Sequence, residues 1–206
     1  MNIGSSLFIG LDESNHHKSR YEEIIAAAFS PEEGEARLVE IKGRPARLKK
    51  DEVSSWINCN RKDYRFTQMH HNTSSLYSNL IIATPYLIGN YLSRQDKRYL
   101  DNLETINIQV DGILLERERE RLKSVLEERI KYDDLFQHSP DIGINSYPKK
   151  KAESPTLYSH LLRIADALAS VWYHNLRSHM ARDKKYPNPA KDTHYVDVER
   201  QLQQSF

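Results

Sequence analysis

A single cysteine, Cys59, stands in 206 residues. An intramolecular disulfide framework is therefore excluded, and the chain suits a reducing compartment, so a cytoplasmic location is expected. Long apolar runs are also missing. Nothing approaches the roughly 18 consecutive residues of a membrane span, so no membrane partner is expected. The start of the chain lacks a basic stretch followed by an apolar one, and no secretory leader is expected. Excess charge of one sign is absent too. The 30 Lys and Arg offset 29 Asp and Glu, leaving a net charge of +1. Binding to nucleic acid through overall charge is thereby excluded, and only local patches remain. The Walker loop, the GxSxG elbow and the GxGxxG fingerprint do not occur, which argues against NTPases, α/β-hydrolases and dinucleotide enzymes. No histidines have H-x-x-x-H spacing and no cysteines pair, which argues against structural zinc.

What is present reads as alternating strands and helices. SSLFIGLDE (5–13) is nearly all apolar before its acidic end and predicts a strand buried on both faces. EEIIAAAFS (22–30) and ARLVEIKG (36–43) predict two more strands, and short turns make the three an antiparallel meander. A short helix is expected over 51–59, and DYRFTQM (63–69) as a fourth strand. A long helix over 74–93 should be kinked or divided by Pro85. ETINIQVDG (104–112) alternates with period two: Ile106, Ile108 and Val110 share one face, Gln109 and Asp111 the other. The charged segment 114–132 predicts an amphipathic helix with Leu122, Val125, Leu126 and Ile130 inward, its Glu116–Glu128 stretch a solvated face with i,i+4 pairs. DIGINSYP suggests a short last strand. Ser154 and Pro155 then fit the cap and first turn of a helix running to Met180. The whole predicts an α/β domain over 1–180, antiparallel at the front and more parallel at the back, followed by a loose polar tail, 181–206.

Three aspartates occupy unusual positions. Asp12 ends the most buried strand, on the same face as Phe8 and Gly10, and Gly10 leaves room beside it. Asp111 ends a second strand, opposite its apolar row. Asp166 lies within the last long helix beside Leu162 and Ala169. Carboxylates in such settings are costly unless paired or bound to a cation. Mg²⁺ and Mn²⁺ take hard oxygen donors, and two such ions about 4 Å apart can activate water and stabilise the leaving oxygen of a phosphodiester. Each aspartate also has an ordinary reading. Asp12 could cap a turn, Asp111 before Gly112 is a turn signal, and Asp166 could pair with Arg163 three residues earlier. Taken together, in this order, they favour a metal-binding set.

With these positions in hand, the chain resembles the domain-of-unknown-function 3800 family, which has a ribonuclease-H-like fold. That family opens on a strand ending D-E-S-G and closes on a helix containing L-Q-I-A-D-L-L-A. Here the two read DESN (12–15) and LRIADALA (162–169), with Val110-Asp111-Gly112 between them. The resemblance spans most of residues 5–176. It implies a mixed central sheet with three antiparallel strands first and helices on both faces. It also implies a two-metal site at Asp12, Asp111 and Asp166, with Glu13 a neighbour on the other face. Asn15 stands where the family has glycine, and Arg163 where it has glutamine. Arg163 would orient phosphate or neutralise Asp166. A fourth acid has no clear equivalent, with Asp51 and Glu52 the nearest candidates.

Further features join this reading. His70 and His71, in QMHHN, stand between a strand and the long helix; either is a candidate proton shuttle or soft ligand, with a structural role at the helix entry the ordinary reading, and His70 is the one carried forward. Lys149, Lys150 and Lys151, beside Tyr147, would grip phosphates while the tyrosine stacks on a base. Arg44, Arg47, Lys49 and Lys50 would extend the basic surface. Solvent exposure is the ordinary reading of the lysines and of His16 and His17. The expected function is a nuclease dependent on Mg²⁺ or Mn²⁺ that acts on RNA or DNA, with room for a homodimer. The alternative is a degenerate module of the same fold that binds nucleic acid or protein without chemistry.

Overall fold

The structure, a computed structural model, describes residues 5–14, 22–41, 55, 56, 59, 63–70, 78–147, 156–180 and 193–204. Its main sheet has five strands. β1 (Ser5–Ser14) is central, flanked by β2 (Glu22–Ser30) and β5 (Leu103–Asp111). Outside them lie β4 (Tyr64–His70) and β6 (Asp141–Tyr147), giving the order β4-β2-β1-β5-β6. β2 runs antiparallel to β1 and β4, whereas β5 runs parallel to β1 and β6. This is the mixed sheet that the ribonuclease-H-like expectation requires. Helices cover both faces, which is why β1 is apolar on both sides rather than alternating.

On one face lie α2 (Ser78–Leu92) and α4 (Glu116–Tyr132), packed on Leu7, Ile9, Leu11, Ile25, Ile106 and Ile108. On the other lies α5 (His160–Met180), whose Leu161, Ile164 and Leu168 pack against Ala26, Ala28 and Phe66. Leu161 and Leu168 are fully buried and contribute about 2 kcal/mol each from transfer out of water. Small residues in the sheet admit this helix. A Cβ at Gly10 would stand 2.5 Å from the Leu161 carbonyl oxygen and 2.7 Å from Leu162 N, so α5 crosses β1 directly over the glycine.

Several expectations change. The segment read as the third meander strand instead forms α1 (Glu33–Ala36) and β3 (Leu38–Ile41), and β3 leaves the main sheet to pair antiparallel with β7 (Thr156–Ser159). The antiparallel place beside β2 goes to β4. The last helix begins at His160, because β7 precedes it, and Ser154 and Pro155 lie outside the described residues. Ser159 caps it, its Oγ accepting from Leu162 N at 3.0 Å. Pro85 lies inside an undivided α2. α3 (Lys97–Asp101) is an added short helix capped by Asp96, whose Oδ1 accepts from Tyr99 N at 2.7 Å. Val125 is only half-buried. The charged face of α4 is not laced by i,i+4 pairs: among the described residues only Arg129 with Asp133 is one, at 3.0 Å.

The expectation of a loose tail fails for 193–204. Phe66 N donates to His194 O at 3.2 Å and Val196 N to Phe66 O at 2.9 Å, so this stretch pairs with the edge strand β4. Val196 and Val198, the latter opening α6 (Val198–Gln204), are buried. An otherwise bare sheet edge is thereby covered. Among the described residues no helix is long and apolar enough to cross a membrane, and nothing in the fold supports the expected homodimer.

Candidate active site

Register brings the first two aspartates together. Leu11 pairs with Val110 on the parallel strands β1 and β5, so Asp12 and Asp111 come next in line. Alternation turns both toward the α5 face. Asp12 is fully buried and Asp111 is 1% exposed. The Asp12 Oδ1 accepts from Glu13 N at 2.8 Å. Behind Asp111, the same face of β5 carries Thr105, Asn107 and Gln109, a polar row that the periodicity predicts.

Asp166 reaches this face from above. Leu162 sits over Gly10, and Asp166 follows one helical turn later, half-buried. The ordinary reading of Asp166 fails. Arg163 forms no ion pair with it, and the Arg163 Nε is buried without a hydrogen-bond partner.

The residue that links the three was missed. Tyr158, on β7, is 1% exposed, and its hydroxyl donates to Asp111 Oδ1 at 2.5 Å. Burial raises its pKa most, followed by the charge of Asp111, the hydrogen bond to it, and the charges of Asp12 and Asp166. The phenol therefore stays protonated and acts as a donor, with all three carboxylates near enough to act on it. Sequence reasoning placed Tyr158 within a helix. The available signal was Thr156 and Tyr158, a β-branched and an aromatic residue two apart, which favour a strand.

Tyr147 is also brought here. It pairs with Asp111 in register, is half-buried, and packs against the Tyr158 and Leu162 pair. Burial raises its pKa. His70 is not brought here by its backbone. It ends β4, two strands from β1, and lies four residues beyond Phe66, which shares a row with Asp12. That offset is about 13 Å along the strand. Glu13, as expected, faces the opposite side. Lys149, Lys150 and Lys151 lie outside the described residues, as do Arg44, Arg47, Lys49, Lys50, Asp51, Glu52, Asn15, His16 and His17.

The donor set is hard: carboxylate oxygens with a neutral phenol behind them, the chemistry that Mg²⁺ and Mn²⁺ prefer. Among the described residues, however, no three His, Cys, Asp or Glu side chains are gathered into a ready ligand cluster. Asp12 and Asp111 end neighbouring parallel strands, and Asp166 faces them from α5.

The sequence matches no family model and none of the curated proteins. Among solved structures, the chain is similar to ribonuclease H2 from Pyrococcus horikoshii OT3, at 13% identity and a TM-score of 0.42, covering 96% of this chain and 84% of that one. It is also similar to the human cytomegalovirus terminase nuclease domain, at 10% identity and a TM-score of 0.37, covering 98% of this chain and 74% of that one. The ribonuclease-H-like fold stands on this chain's own strand order, strand directions and helix placement.

Proposed function

We propose that the chain is a divalent-metal-dependent phosphodiesterase that cuts nucleic acid, and that it belongs to the domain-of-unknown-function 3800 family. The observation that carries this reading is the side-by-side burial of Asp12 and Asp111 at the ends of neighbouring parallel strands. Two adjacent buried carboxylates repel each other, and a cation between them offsets both the repulsion and the desolvation.

Asp12 and Asp111 would hold Mg²⁺ or Mn²⁺, with Asp166 joining by side-chain rotation on α5. A bound ion supplies positive charge for the phosphoryl oxygens and lowers the pKa of water. Tyr158 orients Asp111 by holding one of its oxygens. Arg163, with its buried and unengaged Nε, is suited to orient a phosphate. Lys149, Lys150 and Lys151 would grip the flanking backbone. No step is assigned to His70.

The test is incubation with labelled RNA and labelled DNA in Mn²⁺, beside an Asp12→Asn control. Cleavage by the parent and none by the variant is expected. Equal cleavage by both, or none by either, would remove the assignment. The degenerate binding module remains a second reading, favoured by Arg163 beside Asp166 and by the unassembled ligand cluster. It predicts no Mn²⁺ uptake in calorimetry.

A further inference from the structure

The start of α4 reads E-R-E-R-E-R over 116–121. A helix brings residues four apart together, so this alternation stacks like on like: Glu116 with Glu120, and Arg117 with Arg121. At three apart the same alternation sets opposite charges together, Glu116 with Arg119, Arg117 with Glu120 and Glu118 with Arg121, which offsets the cost of the like pairs. Neither Arg117 nor Arg121 forms an ion pair with a described residue. The Oε2 of Glu118, beside them, is already engaged by Leu115 N at 2.8 Å.

These two guanidinium groups line a cavity of about 480 Å³ with Ser78, Ile81 and Ile82 of α2 and with Glu118. The volume falls in the range of small-ligand sites, about 300–1,000 Å³. Its position is also significant. α4 begins just past Asp111. Asn79, at the start of α2, donates to Glu23 Oε2 at 3.0 Å, and Glu23 lies on β2 next to Ile24, the partner of Ser14. Both helices therefore start at the end of the sheet that carries Asp12, the carboxyl end of its parallel strands, where α/β sheets bind ligands.

We propose that this cavity is a phosphate-binding site in which Arg117 and Arg121 grip one phosphate group. Paired guanidinium forks match phosphate oxygens geometrically, and an anion between them removes the repulsion built into the helix. A nucleic-acid strand passing over the sheet edge would supply the phosphate as a phosphodiester. A free phosphate or a mononucleotide would supply it as a lone ion or a monoester. The site stands whether or not the carboxylates take up metal.

The full-length chain is titrated, in EDTA, against a labelled oligonucleotide as single strand and as duplex, by anisotropy over a salt series. Inorganic phosphate and adenosine monophosphate are titrated separately by calorimetry. The double variant Arg117→Ala/Arg121→Ala is expected to weaken oligonucleotide binding roughly tenfold and to lower the salt slope by about 0.9, one phosphate contact. The Lys pair, Arg117→Lys/Arg121→Lys, should restore the slope but not the full affinity. Loss of inorganic phosphate or adenosine monophosphate binding in the double variant, with oligonucleotide binding unchanged, assigns the site to a free ligand. Arg119→Ala, on another flank of α4, serves as the control. The proposal is overturned if no probe binds, if the double variant binds as the parent does, or if Arg119→Ala has the same effect. The double variant should melt close to the parent, because both arginines are exposed and alanine keeps the helix, so lost binding reports the site and not the fold. Salt slopes that change without Mn²⁺ uptake would remove only the carboxylate reading. Cleavage in Mn²⁺ with every probe bound equally by the parent and the double variant would remove only this one.

Discussion

Asp12 and Glu13 are adjacent in sequence, both buried, and on opposite faces of the same strand. Asp12 lies beside Asp111, with Tyr158 donating to Asp111 and a polar row running back along β5. Glu13 lies opposite Ile25 and diagonal to Glu23, over an apolar layer, with Glu23 held by Asn79 of α2. Each face thus carries two acids near one strand end. Buried carboxylates alone do not make a metal site. On the Asp12 face, short side chains stand on neighbouring parallel strands, one residue past the Leu11–Val110 pair. On the Glu13 face, longer chains on antiparallel strands lie within a packed core, where an amide from α2 satisfies one of them.

The sharpest way to break this contrast is to substitute one acid on each face. Asp111→Asn should weaken Mn²⁺ uptake more than about a hundredfold in calorimetry, beyond the usual effect of a supporting residue. Glu13→Gln should leave uptake within about threefold and shift stability by roughly 1 kcal/mol. Similar losses from both would erase the distinction between the faces. The next largest effect falls on the floor of the Asp12 face. Gly10→Ala drives a methyl into the α5 backbone and should cost about 2 kcal/mol, a melting temperature lower by roughly 6 °C. An unchanged melting curve would mean that α5 does not press on the glycine.

Tyr158→Phe should weaken uptake roughly tenfold, less than Asp111→Asn, since it loosens Asp111 without removing it. It carries a pH signature as well. The folded pKa of Tyr158 is raised, so its contribution to stability is complete below the unfolded value of about 10 and is lost as pH rises beyond it. Above pH 10 the unfolded chain releases this proton and the folded one keeps it. Parent stability should then fall by up to about 1.4 kcal/mol per pH unit on this account, and the Phe variant should fall less steeply. Parallel curves would show that Tyr158 is not held as described.

The Asp12 and Asp111 row was legible because strand alternation fixes faces, and the two strands were read within a residue or two of their bounds. The placement of β3 was not legible. ARLVEIKG has a sound strand pattern, but a pattern carries no information about its partner, and the partner lies near the far end of the chain. The start of α5 was misread for a related reason. Ser154-Pro155 and Ser159 are both valid cap signals, and pairing of β7 with β3 selects the second. Tyr158 was missed because its role exists only once that pairing is made. The alternating charges of 116–121 were visible, but reading them as opposite-sign pairs at four apart mistook period two for helical period.

The short ladder between β3 and β7 ties distant parts of the chain to one point of the site. Tyr158 is held opposite Val39, and the strand that holds it leads directly into the helix that carries Asp166. A change that unpairs this ladder therefore reaches Asp111 through the phenol and Asp166 through the start of α5, without touching any of the three acids.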